Sequence, residues 1–239
     1  MTIQTRLVEY QDDGTTLEAF MAWDDAVSGP RPAVAIAHAW GGRSAFEEGK
    51  ALELAELGYV GFALDMYGKG VRGSTVAENS ALMTPFLEDR PGLQRRINTA
   101  IVTLRQQAEV DSSRVAASGY CFGGLCVLDL ARSGSDVCGV VSLHGLFTPP
   151  GNTGGTAISA RVLCLHGYDD PMARPESVLE LASELSAAGA DWQLHAYGNT
   201  VHAFTNPQAN DPQMGALYSA TADRRSRAAM LDFLQECFA

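Results

Sequence analysis

No stretch of this sequence approaches the roughly 18 consecutive apolar residues of a membrane span, although 46% of its 239 residues are hydrophobic. Basic residues are also few. Seventeen lysines and arginines stand against 28 acidic residues, and the net charge of −11 repels phosphate backbones and anionic lipid. The tightest basic cluster, Arg224, Arg225 and Arg227, falls on the expected solvated face of a terminal helix. Neither a nucleic-acid partner nor a membrane partner is therefore expected. Residues Met1 to Gly14 carry Arg6, Glu9, Asp12 and Asp13 and lack the apolar centre of a secretory signal, so the expected location is cytoplasmic. The five cysteines are odd in number and lack the paired spacing of a metal site. Cys126, Cys138 and Cys164 sit in apolar runs, where cysteine acts as a small core hydrophobe. Neither a structural disulfide nor a bound metal is expected.

What is present is an alternation of short apolar runs with amphipathic ones. Ile3 to Tyr10 and Thr16 to Trp23 flank Asp12-Asp13-Gly14, which predicts an opening antiparallel hairpin. Continuous apolar runs follow at Ala33 to Ala39, Val60 to Leu64, Val115 to Ala117, Val137 to Leu143 and Val162 to Leu165. Strands without polar alternation are those covered on both faces, as in a parallel sheet between helix layers. Helical spacing appears at Phe46 to Leu57, Gly92 to Ala108, Gly123 to Arg132 and Ser177 to Ala188, with Gly189 as a stop. A strand at Trp192 to Tyr197 and a last helix from about Met214 to Cys237 complete the pattern. This order predicts one doubly wound α/β domain over residues 1–239. Pro149 to Gly155 reads as a loop, and Gly68 to Pro91 as a cap or one wall of a pocket.

The sharpest local signal is Gly119-Tyr120-Cys121-Phe122-Gly123-Gly124, placed between a buried strand and a helix. It has the form of a nucleophile elbow, with cysteine where serine is commoner. Glycines are needed because a strand turning sharply into a helix crowds the positions two before and two after the turn. The helix N-terminus behind Cys121 offers amides and a positive dipole end to a thiolate and to an oxyanion. In an α/β-hydrolase, a three-layer αβα fold, the acid and then the histidine follow the nucleophile along the chain. Asp170, in His166-Gly167-Tyr168-Asp169-Asp170-Pro171, stands at the C-terminal edge of a strand, where ligand sites form. It is preferred to Asp169, which suits a turn or a helix cap. His202, in the loop before the last helix, is the mobile base. His38 is expected to hydrogen-bond backbone at its strand end, His166 to order the acid turn, and His195 to alternate within its strand. Oxyanion donors are expected from the amides of Phe122 and, in the loop His38-Ala39-Trp40-Gly41-Gly42, of Trp40. Trp40, Tyr67, Tyr120, His144 and Phe204 are the pocket candidates.

These stretches resemble the dienelactone hydrolase family over nearly the whole chain. The resemblance rests on Pro32 to Gly42, Gly58-Tyr59-Val60 with Asp65-Met66-Tyr67-Gly68, the elbow with its cysteine, the turn at Asp170, and His202-Ala203-Phe204. It implies a Cys-His-Asp triad on an eight-stranded sheet, a small ester or lactone substrate, and no cofactor. Two positions depart from the family pattern. Ala39 stands where members carry a glutamate that pairs with the resting thiol. Asn206 stands where dienelactone-cleaving members carry an arginine for the substrate carboxylate, leaving Arg72 and Arg90 as the other cations to weigh.

The expected chemistry is acyl transfer through a thioacyl enzyme, in a monomer or weak dimer. Two other readings use the same residues. One is a catalytically retired, thiol-sensing member, motivated by Ala39. The other is an acyltransferase or thioesterase.

Overall fold

A computed structural model describes residues 2–239. Its elements in chain order are β1 (Ile3–Asp12), β2 (Thr15–Asp24), β3 (Arg31–Ala37), α1 (Ala45–Glu56), β4 (Val60–Ala63), α2 (Val76–Glu88), α3 (Arg90–Arg105) and β5 (Val110–Tyr120). Then come α4 (Phe122–Arg132), β6 (Gly139–Leu143), β7 (Arg161–Gly167), α5 (Pro175–Ala187), β8 (Trp192–Tyr197), β9 (Asn210–Asp211), β10 (Ala216–Leu217) and α6 (Ala220–Phe238). Eight strands form a mixed sheet in the order β1-β2-β4-β3-β5-β6-β7-β8, so the opening hairpin supplies two of the eight. The chain separates into two compact units, one ending at Ser118 and the other running Gly119–Ala239.

In the first unit, β1 and β2 pair antiparallel from Ile3↔Asp24 to Asp12↔Thr15. Asp13 (φ 47°) and Gly14 (φ 74°) make the two-residue turn, both in the left-handed region that suits the twist of a tight hairpin. β2 pairs antiparallel with β4, and β3 pairs parallel with β4. Every residue of β4 is buried, as a strand covered on both faces requires. Helix α3 is tied to the hairpin by Arg96 Nε, which donates to Asp12 Oδ2 at 2.7 Å, and by Thr99 Oγ1, which donates to Asp12 Oδ1 at 3.0 Å. These charged bonds, chiefly that of Arg96, overcome burial and lower the Asp12 carboxyl.

The segment Gly68 to Pro91 contains a helix, α2, that helical spacing alone does not reveal, because none of its side chains is buried. Its start is legible by another route. Thr75 and Glu78 form a reciprocal capping box. Asp89 then closes α2 and caps α3, its Oδ1 accepting from Gly92 N at 3.0 Å.

In the second unit β6, β7 and β8 pair parallel in sequence. All eleven residues of α4 are buried, including Asp129 and Arg132. Arg132 neutralises Asp129 at 3.2 Å and Glu184 at 2.7 Å, and donates to the carbonyl of Phe147 at 3.0 Å. Gly189, at φ 70°, stops the chain just after α5. The last helix starts at Ala220, not near Met214. Asp211 Oδ1 accepts from Gln213 N and Met214 N and holds that stretch in a turn. Gly215 leaves it at φ 66°, and Ala216 and Leu217 pair with β9 before Ser219 caps α6. Among the described residues no cysteine is in a disulfide, and Cys126 and Cys164 are buried. Cys138 differs from its expected core position in being only half-buried. Among the described residues no helix is long and apolar enough to cross a membrane, and no cluster of acidic, His and Cys side chains is placed to hold a metal.

Candidate active site

β5 ends at Tyr120 and α4 begins at Phe122, so the reversal from strand to helix rests on Cys121 alone, at φ 57° and ψ −115°. A side chain with a Cβ is strained in that region and persists only where its surroundings hold it. The surroundings are visible. Cys121 N donates to both Leu143 O (3.1 Å) and His144 Nδ1 (3.2 Å), while Cys121 O accepts from Gly124 N at 3.0 Å and starts the helix. Two glycines make room. A Cβ on Gly119 would lie 2.0 Å from the carbonyl oxygen of Gly123, and one on Gly124 would lie 2.6 Å from Cα of Gly145. Cys121 itself is partly exposed, unlike Cys126 and Cys164.

Asp170 and His202 meet at 2.7 Å, Oδ2 to Nδ1, and both are buried. The second carboxylate oxygen of Asp170 accepts from Met172 N at 2.8 Å, which fixes the acid's orientation. Asp169 is exposed, and its amide bonds Thr200 O. His202, expected to be mobile from its loop position, is hydrogen-bonded through both its backbone groups. His202 N donates to Gly215 O (2.9 Å) and His202 O accepts from Leu217 N (3.1 Å), so β10 holds the residue as a neighbouring strand would. Burial acts to lower the His202 imidazole. The charge of Cys121 and the bond to Asp170 outweigh it and carry the group up to about 10. Nε2 is buried with no hydrogen bond of full geometry. Cys121 therefore acts on the ring chiefly through its charge.

His144 is buried, with φ 38°, and sits between these groups. Its Nε2 lies 2.8 Å from Thr205 Oγ1, and its ring meets those of His202 and Phe204 edge-on at 5.2 Å each. Burial first, then the charge of His202, pushes its imidazole well below 6.5. Phe204 has no exposed surface and backs His144, not open space; Tyr120 is likewise buried beside His144. His166 does not order the acid turn by hydrogen bonds. Both its ring nitrogens are buried without a partner, and its ring packs on Phe147 at 5.2 Å. Asn206 closes a turn, its Oδ1 accepting from Gln208 N at 3.0 Å. A cavity of about 450 Å³ in this unit is lined by Arg132, Pro149, Thr153, Ile158 and Glu184 and by none of these residues.

In the first unit the loop after β3 is held from several sides. His38 Nδ1 bonds Ala39 O at 2.7 Å, and its Nε2 accepts from Met66 N at 3.1 Å, as its strand-end position suggested. Tyr67 Oη donates to Trp40 O at 2.9 Å. Glu47 is a residue that sequence reasoning missed. It is buried, with Oε1 accepting from Ala39 N (3.2 Å) and Oε2 from Ser44 N (2.9 Å). The signal for it was the capping box Ser44-x-x-Glu47. Arg72 is half-exposed and lies 3.7 Å from Glu48, and Arg90 is buried.

The strand order, together with a strained residue at a strand–helix turn, defines an α/β-hydrolase fold. The chain belongs to the dienelactone hydrolase family, whose sequence model matches residues 17–238, and is an ester hydrolase of that type. A solved structure of a dienelactone hydrolase-like promiscuous phosphotriesterase from metagenomic libraries is 36% identical, with 99% of each chain covered and a TM-score of 0.93. An uncharacterized protein of Caenorhabditis elegans is 34% identical over 63% of this chain and 98% of its own. A Bradyrhizobium protein named "Probable 2-oxo-3-(5-oxofuran-2-ylidene)propanoate lactonase" is 26% identical over 85% of this chain and 86% of its own.

Proposed function

We propose that this hydrolase cleaves a small carboxylic ester or lactone through a triad of Cys121, His202 and Asp170 and a thioacyl-enzyme intermediate. The observation that carries the reading is the buried bond of 2.7 Å between His202 Nδ1 and Asp170 Oδ2, on an imidazole that the charge of Cys121 acts to raise. Imidazolium and thiolate stabilise each other, so the nucleophile is active before substrate arrives. The sulfur adds to the ester carbonyl, and the carbonyl π electrons move onto oxygen, which the Phe122 N–H at the start of α4 stabilises. Collapse breaks the C–O bond, and the leaving alkoxide takes the proton from His202 Nε2. The neutral imidazole then removes a proton from water as it attacks the thioester. The acid departs and the thiolate–imidazolium pair is restored. Asp170 keeps Nδ1 as the donor to itself and stabilises the imidazolium.

The test is Cys121→Ala with 4-nitrophenyl acetate. Activity should fall by roughly a thousandfold or more, and mass spectrometry of the unmodified protein with a slow substrate should find one acyl group on Cys121. Undiminished hydrolysis in the variant overturns the assignment. A reactive thiol that never carries an acyl group indicates the thiol sensor, and an ester formed with an added alcohol indicates the transferase.

The 36% identity to a promiscuous phosphotriesterase supports a second substrate class. A thiolate beside an oxyanion donor can attack phosphorus as well as carbon. Repeated turnover of an aryl dialkyl phosphate supports this reading; a single inactivating event removes it.

A further inference from the structure

We propose that His144 is a positioning residue for the nucleophile, a neutral imidazole that accepts the main-chain N–H of Cys121 and is locked in that tautomer by Thr205. This rests on the triad reading and deepens it. Cys121 N can only donate, so His144 Nδ1, 3.2 Å away, must present its lone pair. The proton of the neutral ring then sits on Nε2 and is donated to Thr205 Oγ1 at 2.8 Å. Both His144 and Thr205 are buried, which shields the chain Thr205–His144–Cys121 from water. The titratable groups around the ring are Cys121, Tyr120 and His202, with Asp170 behind His202. None of them is a carboxylate in contact with the ring, and protonated His202 opposes a second positive charge there.

The need for such a residue follows from the backbone. Cys121 holds a conformation that its own side chain disfavours, and its amide is anchored by two acceptors, Leu143 O at 3.1 Å and His144 Nδ1. The Leu143 bond is to the last residue of β6. The His144 bond comes from a side chain whose other face meets the ring of His202 at 5.2 Å. One imidazole therefore touches both partners of the proposed nucleophile–base pair. A second proton on His144 would set Nδ1–H against the Cys121 N–H and break that link.

Three variants test this, with thermal melts to establish folding. His144→Asn places an amide oxygen near the position of Nδ1 and keeps the acceptor. His144→Gln reaches toward Thr205 and leaves the Cys121 amide without it. Thr205→Val removes the tautomer lock at nearly constant volume. The readouts are kcat and KM for 4-nitrophenyl acetate and, independently of ester hydrolysis, the pH profile of Cys121 alkylation by iodoacetamide. For His144→Gln and Thr205→Val, kcat and the alkylation rate at pH 7 should each fall roughly tenfold with KM little changed, and His144→Asn should recover most of both. A folded His144→Gln with native kcat and native alkylation profile overturns the proposal, as does His144→Asn performing no better than His144→Gln. If His144→Gln does not fold, Thr205→Val decides: the same losses support the proposal, and native behaviour ends it. Cys121→Ala run alongside separates the two claims, because its retained activity defeats the triad reading whereas the alkylation profiles still judge His144.

Discussion

The rings of His144 and His202 meet edge to face at 5.2 Å, yet their affinities for a proton are driven in opposite directions. Burial pushes both down. For His202 the charge of Cys121 and the bond to Asp170 win, and the group rises to about 10. For His144 only a backbone hydrogen bond acts the other way, and the charge of His202 adds to the burial. Two buried imidazoles so close carry one positive charge between them, and Cys121 and Asp170 place it on His202. In NMR titrations the His202 ring should stay protonated past pH 8 and that of His144 neutral down to well below pH 6.5. In Cys121→Ser the His202 titration should move down. A His202 ring that deprotonates near its ordinary value in the native protein removes the thiolate–imidazolium pair from the mechanism.

The same shifts set a stability profile. A group raised on folding stabilises fully below its unfolded value, near 6.5, and loses that contribution as pH rises through the folded value. The His202 contribution should therefore fade between about pH 6.5 and about 10. His144 is lowered, so its contribution is present above about 6.5 and fades as the pH falls. Urea midpoints from pH 5 to 10 should decline on the alkaline side, and the decline should be shallower in Cys121→Ser.

Asp170→Asn tests the acid directly. The amide keeps the size of the carboxylate but removes the charge facing His202 Nδ1, and it can present N–H where an acceptor is needed. The imidazole then loses its preferred tautomer. Hydrolysis at pH 7 should fall by roughly a thousandfold or more, while Asp169→Asn, at an exposed turn residue, should change it little. Equal losses in the two variants would show that the choice of Asp170 is wrong.

What could be read from the sequence divides along a physical line. Elements buried on both faces, such as β4 and β6, announce themselves by continuous apolar runs, and the elbow by glycines that a Cβ would put into backbone. Helix α2 buries no side chain, so it leaves no apolar stripe, and only its capping box betrays it. β9 and β10 are two residues long, too short for any period to show. Yet it is the backbone around β10 that pins His202, which made the base look mobile from sequence. The roles of His144 and Glu47 were hidden for a different reason. Each acts through a bond to a main-chain amide, of Cys121 and of Ala39, and no residue pattern records which amide a side chain will find.

Arg132 offers a test of the scaffold under the elbow. It ends the buried helix α4, and its side chain is 1% exposed between Asp129 at 0% and Glu184 at 28%. Arg132→Met leaves Asp129 charged and sealed from water, which should cost about 3–5 kcal/mol in urea unfolding. Arg132→Met combined with Asp129→Leu removes both buried charges and should recover much of that loss. If the double variant is no better than the single one, the arginine's hydrogen bonds to the carbonyls of Phe147 and Thr148 matter more than the ion pair.

The strain at Cys121 can be measured by comparing two substitutions that both abolish the nucleophile. Cys121→Ala and Cys121→Gly each lose the sulfur and its interaction with His202, so that loss cancels between them. They differ in the Cβ, which alanine keeps at φ 57° and ψ −115° and glycine lacks. At an ordinary helix or strand position glycine is the less stable of the two, by roughly 0.5–1 kcal/mol, because it loses more backbone freedom on folding. At a strained position the Cβ penalty of about 1–3 kcal/mol works the other way. Cys121→Gly should therefore unfold at a higher urea concentration than Cys121→Ala, by an amount worth about 1 kcal/mol. The reverse order would mean that the turn is relaxed, and the side chain would then need no anchoring by Leu143 and His144 to stand at the end of β5.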